Sequence, residues 1–219
     1  MKQEYKAKST YSGDVALDYD DKRFSKRFGR WIDKREKLSV TRAIARIPAG
    51  SSFLDMPCGT GRITEHLLCL GYRVSGADIS RDMIELGRPK LEKHPNFAGF
   101  HVVDAEDTRL PAASFDCVTS IRLMGHLPRE VKVRILKEMS RISREYLVIA
   151  FYETSFLRSV KWFLKYGSLQ SSNLTWHPIT DSDLRRLLEE CGLEVVAREP
   201  AFIVSDTITY LLRKKTAGR

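Results

Sequence analysis

The chain has 219 residues, of which 42% are hydrophobic, 30% charged and 10% aromatic, a mix that suits one soluble globular domain with a substantial core. No apolar run approaches the roughly 20 residues needed to cross a bilayer, and residues 1–10 lack the apolar stretch of a secretory signal. The four cysteines, Cys58, Cys69, Cys117 and Cys191, form no Cys-x-x-Cys pair, so a cytoplasmic, reducing location and no metal site are expected.

The net charge of +9 is concentrated at the start, where residues 1–48 hold 13 Lys/Arg against 7 Asp/Glu. Phosphate, an anionic membrane or an acidic partner would suit that excess, and a solvated helix face is the plainer expectation. Residues 1–20 are polar with few apolar anchors. From Asp21 to Ile47 the pattern is helical, with Phe24, Phe28, Trp31 and Ile32 as an apolar stripe and Leu38, Ile44 and Ile47 continuing it. Pro48 and Gly50 end it, so 1–48 reads as an N-terminal helical cap and 49–215 as the main domain.

The main domain opens on Ser52-Phe-Leu-Asp-Met-Pro-Cys-Gly-Thr-Gly-Arg62, a short buried strand, a glycine turn and a helix start carrying Ile63, Leu67, Leu68 and Leu70 on one face. Further strands are expected at Tyr72–Ala77, Ala98–Val103, Phe115–Ser120 and Tyr146–Phe151, the last a near-continuous apolar run as a strand buried on both sides should be. Helices are expected from Ser80, over Arg129–Ile142 and over Thr180–Cys191. The final strands, Leu193–Arg198 and Asp206–Leu212, have no helix between them and suit an antiparallel pair at a sheet edge. The alternation up to residue 150 means α/β with a mostly parallel sheet.

Three successive strands end in an acid, Asp55, Asp78 and Asp104, and in an open parallel sheet those ends share the ligand-binding edge. A nicotinamide dinucleotide would use the same glycine turn and Asp78. Its fingerprint, however, wants Gly or Ala at the sixth position, where this chain has Thr64, and it has no use for Asp55 facing its pyrophosphate. A cationic ligand without phosphate suits these carboxylates better.

The motifs Asp55-x-x-Cys58-Gly59-x-Gly61, Asp78-Ile79-Ser80-x-x-Met83, Asp104-Ala105-Glu106 with Leu110-Pro111, and Phe115-Asp116 resemble those of class I S-adenosylmethionine-dependent methyltransferases. The resemblance runs from about residue 50 to 151, and the terminal strand pair extends it to about 213. It implies a Rossmann-like, seven-stranded, mostly parallel sheet with an antiparallel C-terminal edge pair and helices on both faces. It also implies S-adenosyl-L-methionine as cofactor and S-adenosyl-L-homocysteine as product. Asp55, Cys58, Gly59 and Gly61 would hold the methionine part, Asp78 the ribose hydroxyls, Ile79 the adenine face, Asp104 the adenine amino group and Ala105 the ring through its backbone. Arg122 falls where the family contacts the methionyl group, although Arg is not usual there. The family's Pro-Gly-Gly turn before the fifth strand is replaced by Ser143-Arg-Glu145.

For the acceptor, two segments stand out. One is the N-terminal cap with Tyr11, Tyr19 and Phe24, which in this family often folds as a lid. The other is the long link 153–179, where Phe156, Leu157, Val160, Trp162, Phe163 and Leu164 interleave with Arg158, Lys161 and Lys165. Residues 155–166 suit either a lid helix or peripheral contact with a membrane. In placement and character this insertion resembles that of ubiquinone-biosynthesis O-methyltransferases. His126 is the first candidate base, with His177, Tyr152 and Glu153 as further acceptor-side groups. A small, hydrophobic or lipid-like acceptor and O-methylation are the expectation. RNA or protein methylation through the basic N-terminal face, and cofactor binding without catalysis, are the alternatives.

Overall fold

The computed structural model of the protein describes residues 27–154, 177–202 and 205–215. In chain order, helix α1 (Arg27–Ala43) and a 3-10 turn (Ile44–Arg46) lead into strand β1 (Ser52–Asp55), helix α2 (Arg62–Cys69) and strand β2 (Arg73–Asp78). Helix α3 (Arg81–Leu91), strand β3 (Phe97–Val102), strand β4 (Phe115–Ser120), helix α4 (Arg129–Ile142) and strand β5 (Ser143–Tyr152) follow. Helix α5 (Asp181–Glu190) and strands β6 (Leu193–Pro200) and β7 (Thr207–Lys214) complete the described chain.

The strands form one seven-stranded sheet in the order β3-β2-β1-β4-β5-β7-β6. The first five run parallel, with Phe53 opposite Val74 and Leu54 opposite Val118. β7 runs antiparallel between β5 and β6, with Leu147 opposite Leu212. The chain leaves β1 for β2 on one side and reaches β4 on the other, so strand order reverses at β1. In such a sheet a crevice opens at the carboxyl ends of the strands on either side of that reversal.

Side chains alternate across the sheet, and each face has its own core. Leu54, Leu147, Ile149 and Phe151 point to the face covered by α4 and α5 through Ile135, Leu136, Leu184 and Leu187. Phe53, Val148, Ala150 and Leu211 point to the other, covered by α1 and α2 through Val40, Ala43, Ile63 and Leu67. β5 is apolar on both sides because it is packed on both sides. Its companion helices begin at side-chain caps where the sequence supplies them: Ser80 Oγ accepts from the Met83 amide at 3.3 Å, and Thr180 Oγ1 from the Asp183 amide at 3.1 Å.

Three local expectations are corrected. The stripe on α1 is not the buried face: Phe28 is 69% exposed and Trp31 39%, while Gly29, Glu36, Ser39, Val40 and Ala43 turn inward. Polar partners set that rotation, since Ser39 Oγ meets Thr209 Oγ1 on β7 at 2.8 Å and buried Glu36 meets two arginines. Leu70 falls beyond the end of α2 and is 41% exposed. Strand β5, expected from Tyr146, begins at Ser143 directly after α4, so Ser143-Arg-Glu145 belongs to the strand.

Candidate active site

The cleft lies where the strand order reverses, and the glycine turn after β1 is its floor. That turn is tied to both neighbouring strands: the Met56 amide donates to the Thr119 carbonyl and the Cys58 amide to the Ala77 carbonyl, each at 2.8 Å. Gly59 has a φ of 54° and Gly61 a φ of 82°, left-handed values that disfavour a β-carbon. At Gly61 a β-carbon would also come within 2.3 Å of the Leu91 side chain, which binds the turn to α3. Gly87 serves the same contact from the other side, because a β-carbon there would press within 2.7 Å of the Thr60 carbonyl oxygen.

Asp55, Cys58 and Gly59 line the cleft from the first turn, Asp78 and Ile79 from the second strand, and Asp104 and Ala105 from beyond the third. Arg122 and His126 line it from the segment after β4. Gly61 is absent from the lining and stands behind it against Leu91. The walls near Arg122 and His126 are apolar, formed by Ile121 and Leu123.

The acids differ in their surroundings. Asp55 is 1% exposed and accepts from Thr64 Oγ1 at 2.7 Å. Burial pushes its carboxyl up to about 7 against the pull of the Thr64 hydroxyl and the Arg62 charge. Thr64, which argued against a dinucleotide, is therefore the partner of the first acid. Asp78 is spanned by backbone donors, with the Gly59 amide on Oδ2 at 2.8 Å and the Ser80 amide on Oδ1 at 2.9 Å. Burial raises its pKa, and those amides oppose the rise. Asp104 accepts from the Glu106 amide at 3.0 Å and lies two residues past the end of β3. The Cys58 thiol is raised well above its usual range, first by burial and then by Asp55 and Asp78, which keeps it a neutral lining group.

A residue that pattern reading left unmarked organises the rim. Glu36 of α1 accepts from Arg62 Nη2 and Arg122 Nε on one oxygen, each at 2.9 Å, and pairs with Arg122 Nη2 on the other. Arg62 also meets Asp33. Both arginines line the cleft, so α1 holds two cationic groups at its edge. Arg122 sits at a φ of 65°, a left-handed conformation uncommon for a residue other than glycine. In the sequence Asp33 and Glu36 are simply the two acids of an otherwise basic helix, and nothing local to them marks their partners.

On the acceptor side, Tyr152 is buried against Gly125, where a β-carbon would lie 2.2 Å from its ring. His177 returns beside the same turn: its amide donates to the Gly125 carbonyl at 2.7 Å and its carbonyl accepts from buried Lys132 at 2.8 Å. Neither Tyr152 nor His177 lines the cleft itself. Glu153 is engaged elsewhere, accepting from Arg198 and from the Tyr210 hydroxyl. Tyr11, Tyr19, Phe24, Trp162 and residues 155–166 lie outside the described residues. Among the described residues no cluster of His, Cys, Asp or Glu has the makings of a metal site, and no helix is long and apolar enough to cross a membrane.

The donor set matches a cation and not a phosphate. The Gly59 amide is already given to Asp78 and the Gly61 amide to the Cys58 carbonyl, so the turn does not present the ring of free amides that cradles pyrophosphate. Two deeply buried carboxyls face the space instead.

Comparisons with known proteins agree with this geometry. Residues 53–145 match the model of a methyltransferase domain family. The ubiquinone biosynthesis O-methyltransferase of Thiobacillus denitrificans is 26% identical over 179 residues, covering 75% of this chain and 69% of that protein. The demethylmenaquinone methyltransferase of Symbiobacterium thermophilum is 27% identical over 207 residues, 81% of each chain. Several other relatives align over only about a third of their own length. In fold, the magnesium protoporphyrin IX methyltransferase of Synechocystis, crystallised with bound S-adenosylhomocysteine, superposes with a TM-score of 0.71 at 16% identity, covering 94% of this chain and 96% of that one. Residues 53–145, from the first strand through the glycine turn to the start of the fifth strand, thus match a methyltransferase domain, and the seven-stranded sheet that carries them has the fold of S-adenosylmethionine-dependent methyltransferases.

Proposed function

We propose that this chain transfers a methyl group from S-adenosylmethionine to a hydroxyl of a small hydrophobic acceptor, of the aromatic, lipid-tailed kind that ubiquinone- and menaquinone-pathway enzymes take. The observation that carries the reading is the pairing, in one cleft, of buried Asp55 and Asp78 with His126 set among the apolar side chains Ile121 and Leu123. The names of the two relatives that align over most of this chain point to the same acceptor class.

S-adenosylmethionine supplies a methyl group already activated on a sulfonium sulfur. The chain's own work is to bind, orient and take up a proton. Asp55, once ionised, would balance the positive charge of the methionyl end. Asp78 would accept from the ribose hydroxyls, and Ile79, 42% exposed, would offer an apolar face for the adenine. Asp104 and the Ala105 backbone would hold the adenine end. Arg122, held by Glu36, would meet the methionyl carboxylate. His126 takes the acceptor's hydroxyl proton as the oxygen attacks, and the buried Tyr152 holds the turn that presents it.

The test is methyl transfer from radiolabelled S-adenosylmethionine to catechol-type acceptors with and without isoprenoid tails. Turnover is expected for the tailed acceptor, and His126→Ala is expected to cost about 100-fold or more in kcat while leaving S-adenosylhomocysteine affinity within about two-fold. Unchanged kcat removes His126 as the base. Cofactor binding with no turnover across the acceptor panel favours a non-catalytic role.

A further inference from the structure

The outer face of α1 takes no part in the cleft, and its composition is unusual for a solvated helix. Phe28 and Trp31 stack with ring centroids 6.0 Å apart, and Phe202, from the loop between β6 and β7, packs on Trp31 at 5.0 Å. Phe28 remains 69% exposed and Trp31 39%. Arg35 lies over the Trp31 ring at 5.5 Å, and Arg27, Arg30 and Lys34 are exposed around the cluster. The helix has two acids, Asp33 and Glu36, and both turn inward to Arg62, Arg122 and Lys37. What α1 presents outward is therefore an aromatic knob ringed by cations.

We propose that this face is a docking surface for an anionic lipid bilayer, with Phe28 and Trp31 entering the headgroup region and Arg27, Lys34 and Arg35 meeting lipid phosphates. Two forces fit: burial of exposed aromatic surface and attraction of clustered cations to negative lipid, each basic residue near such a surface contributing roughly five-fold in partitioning. The same residue types can bind single-stranded RNA, but that mode needs open ring faces on which bases stack. Trp31 packs against Phe28, Phe202 and Arg35, which leaves Phe28 as the one largely open ring of the cluster, a knob that can enter a headgroup layer and not a row of ring faces for successive bases. The docked helix is bonded through Glu36 to Arg62 and Arg122, which places the cofactor cleft next to the element that meets the lipid. This surface is separate from residues 155–166, and its failure would leave the proposed reaction standing.

The test is flotation of the full chain with phosphatidylcholine vesicles, with and without phosphatidylglycerol. Binding is expected only with the anionic lipid. The double variant Phe28→Ser, Trp31→Ser and, separately, Arg27→Gln, Lys34→Gln should each weaken it at least about ten-fold. The second pair is wholly at the surface and keeps the test valid if loss of the Trp31–Phe202 contact perturbs folding. No flotation of the parent with anionic vesicles, or undiminished flotation of both variants, overturns the proposal. So does tighter binding of an unstructured RNA than of vesicles at equal ionic strength, if the same substitutions abolish it.

Discussion

A carboxyl as deeply buried as Asp55 pays for its place in desolvation, and the direction of its titration follows from that. In the free protein its pKa stands at about 7, above the ordinary carboxylate value, so the folded state holds a proton that the unfolded state has already lost across the window from about 4 to 7. Stability from this group is fully present below pH 4 and is lost as pH rises through 7. A cationic ligand reverses the preference, because only the ionised carboxylate attracts it. Affinity for S-adenosylmethionine should therefore rise with pH up to about 7, by at most about ten-fold per unit, and level off above. Asp55→Asn should flatten that profile in calorimetry. The same variant should raise the melting temperature of the ligand-free protein most at pH 8, less at pH 5, and leave it little changed only below about pH 4, where the native residue is neutral in both the folded and the unfolded chain. A profile that keeps its slope in Asp55→Asn would move the titration to another group.

At the scale of elements, α1 joins the cleft through a single buried residue. The side chain of Glu36 is 4% exposed, and the arginines it pairs with are 15% and 14% exposed, so these ions have left water and depend on one another. Breaking such a set from one side leaves uncompensated charge, at a cost of about 3–5 kcal/mol. Glu36→Ala should show a loss of that order in chemical denaturation. Arg185→Ala provides the contrast: that pair with Asp181 on α5 is 79% and 69% exposed, and its removal should cost less than about 1 kcal/mol. Equal effects of the two substitutions would mean that α1 is only loosely docked. The sequence shows Glu36 as one acid in a basic helix because its partners lie 26 and 86 residues away, a separation no local pattern can register. The inward turn of α1 was hidden for the same reason: the apolar stripe at Phe28 and Trp31 is stronger in pattern than Ser39 and Glu36, and the bonds that reverse the preference are made to β7 and to the cleft.

Across the whole molecule, what was legible in the chain is what depends on neighbours in sequence. The alternation of strand and helix, the glycine turn and the acids at Asp55, Asp78 and Asp104 are each set within a few residues, and the sheet brings the three acids to one edge. The antiparallel terminal pair was legible from the short connection between its strands. Its order was not, since placing β7 inside β6 is decided by long-range pairing with β5. Thr64 could be read as a departure from a dinucleotide fingerprint, but its role as hydrogen-bond partner of Asp55 needed the fold. The acceptor side was the least legible, because Tyr152, Gly125, His177 and Lys132 come together from four separate segments.

The central claim is that the carboxyl edge of this sheet holds S-adenosylmethionine, with Asp78 as its ribose anchor. The most direct measurement is calorimetric titration of S-adenosylhomocysteine into the parent chain and into Asp78→Ala. The parent should bind, and the variant should lose at least about ten-fold in affinity as the charged hydrogen bonds to the ribose are removed. Equal affinity in the two proteins, with the variant folded, would contradict the assignment of the cleft.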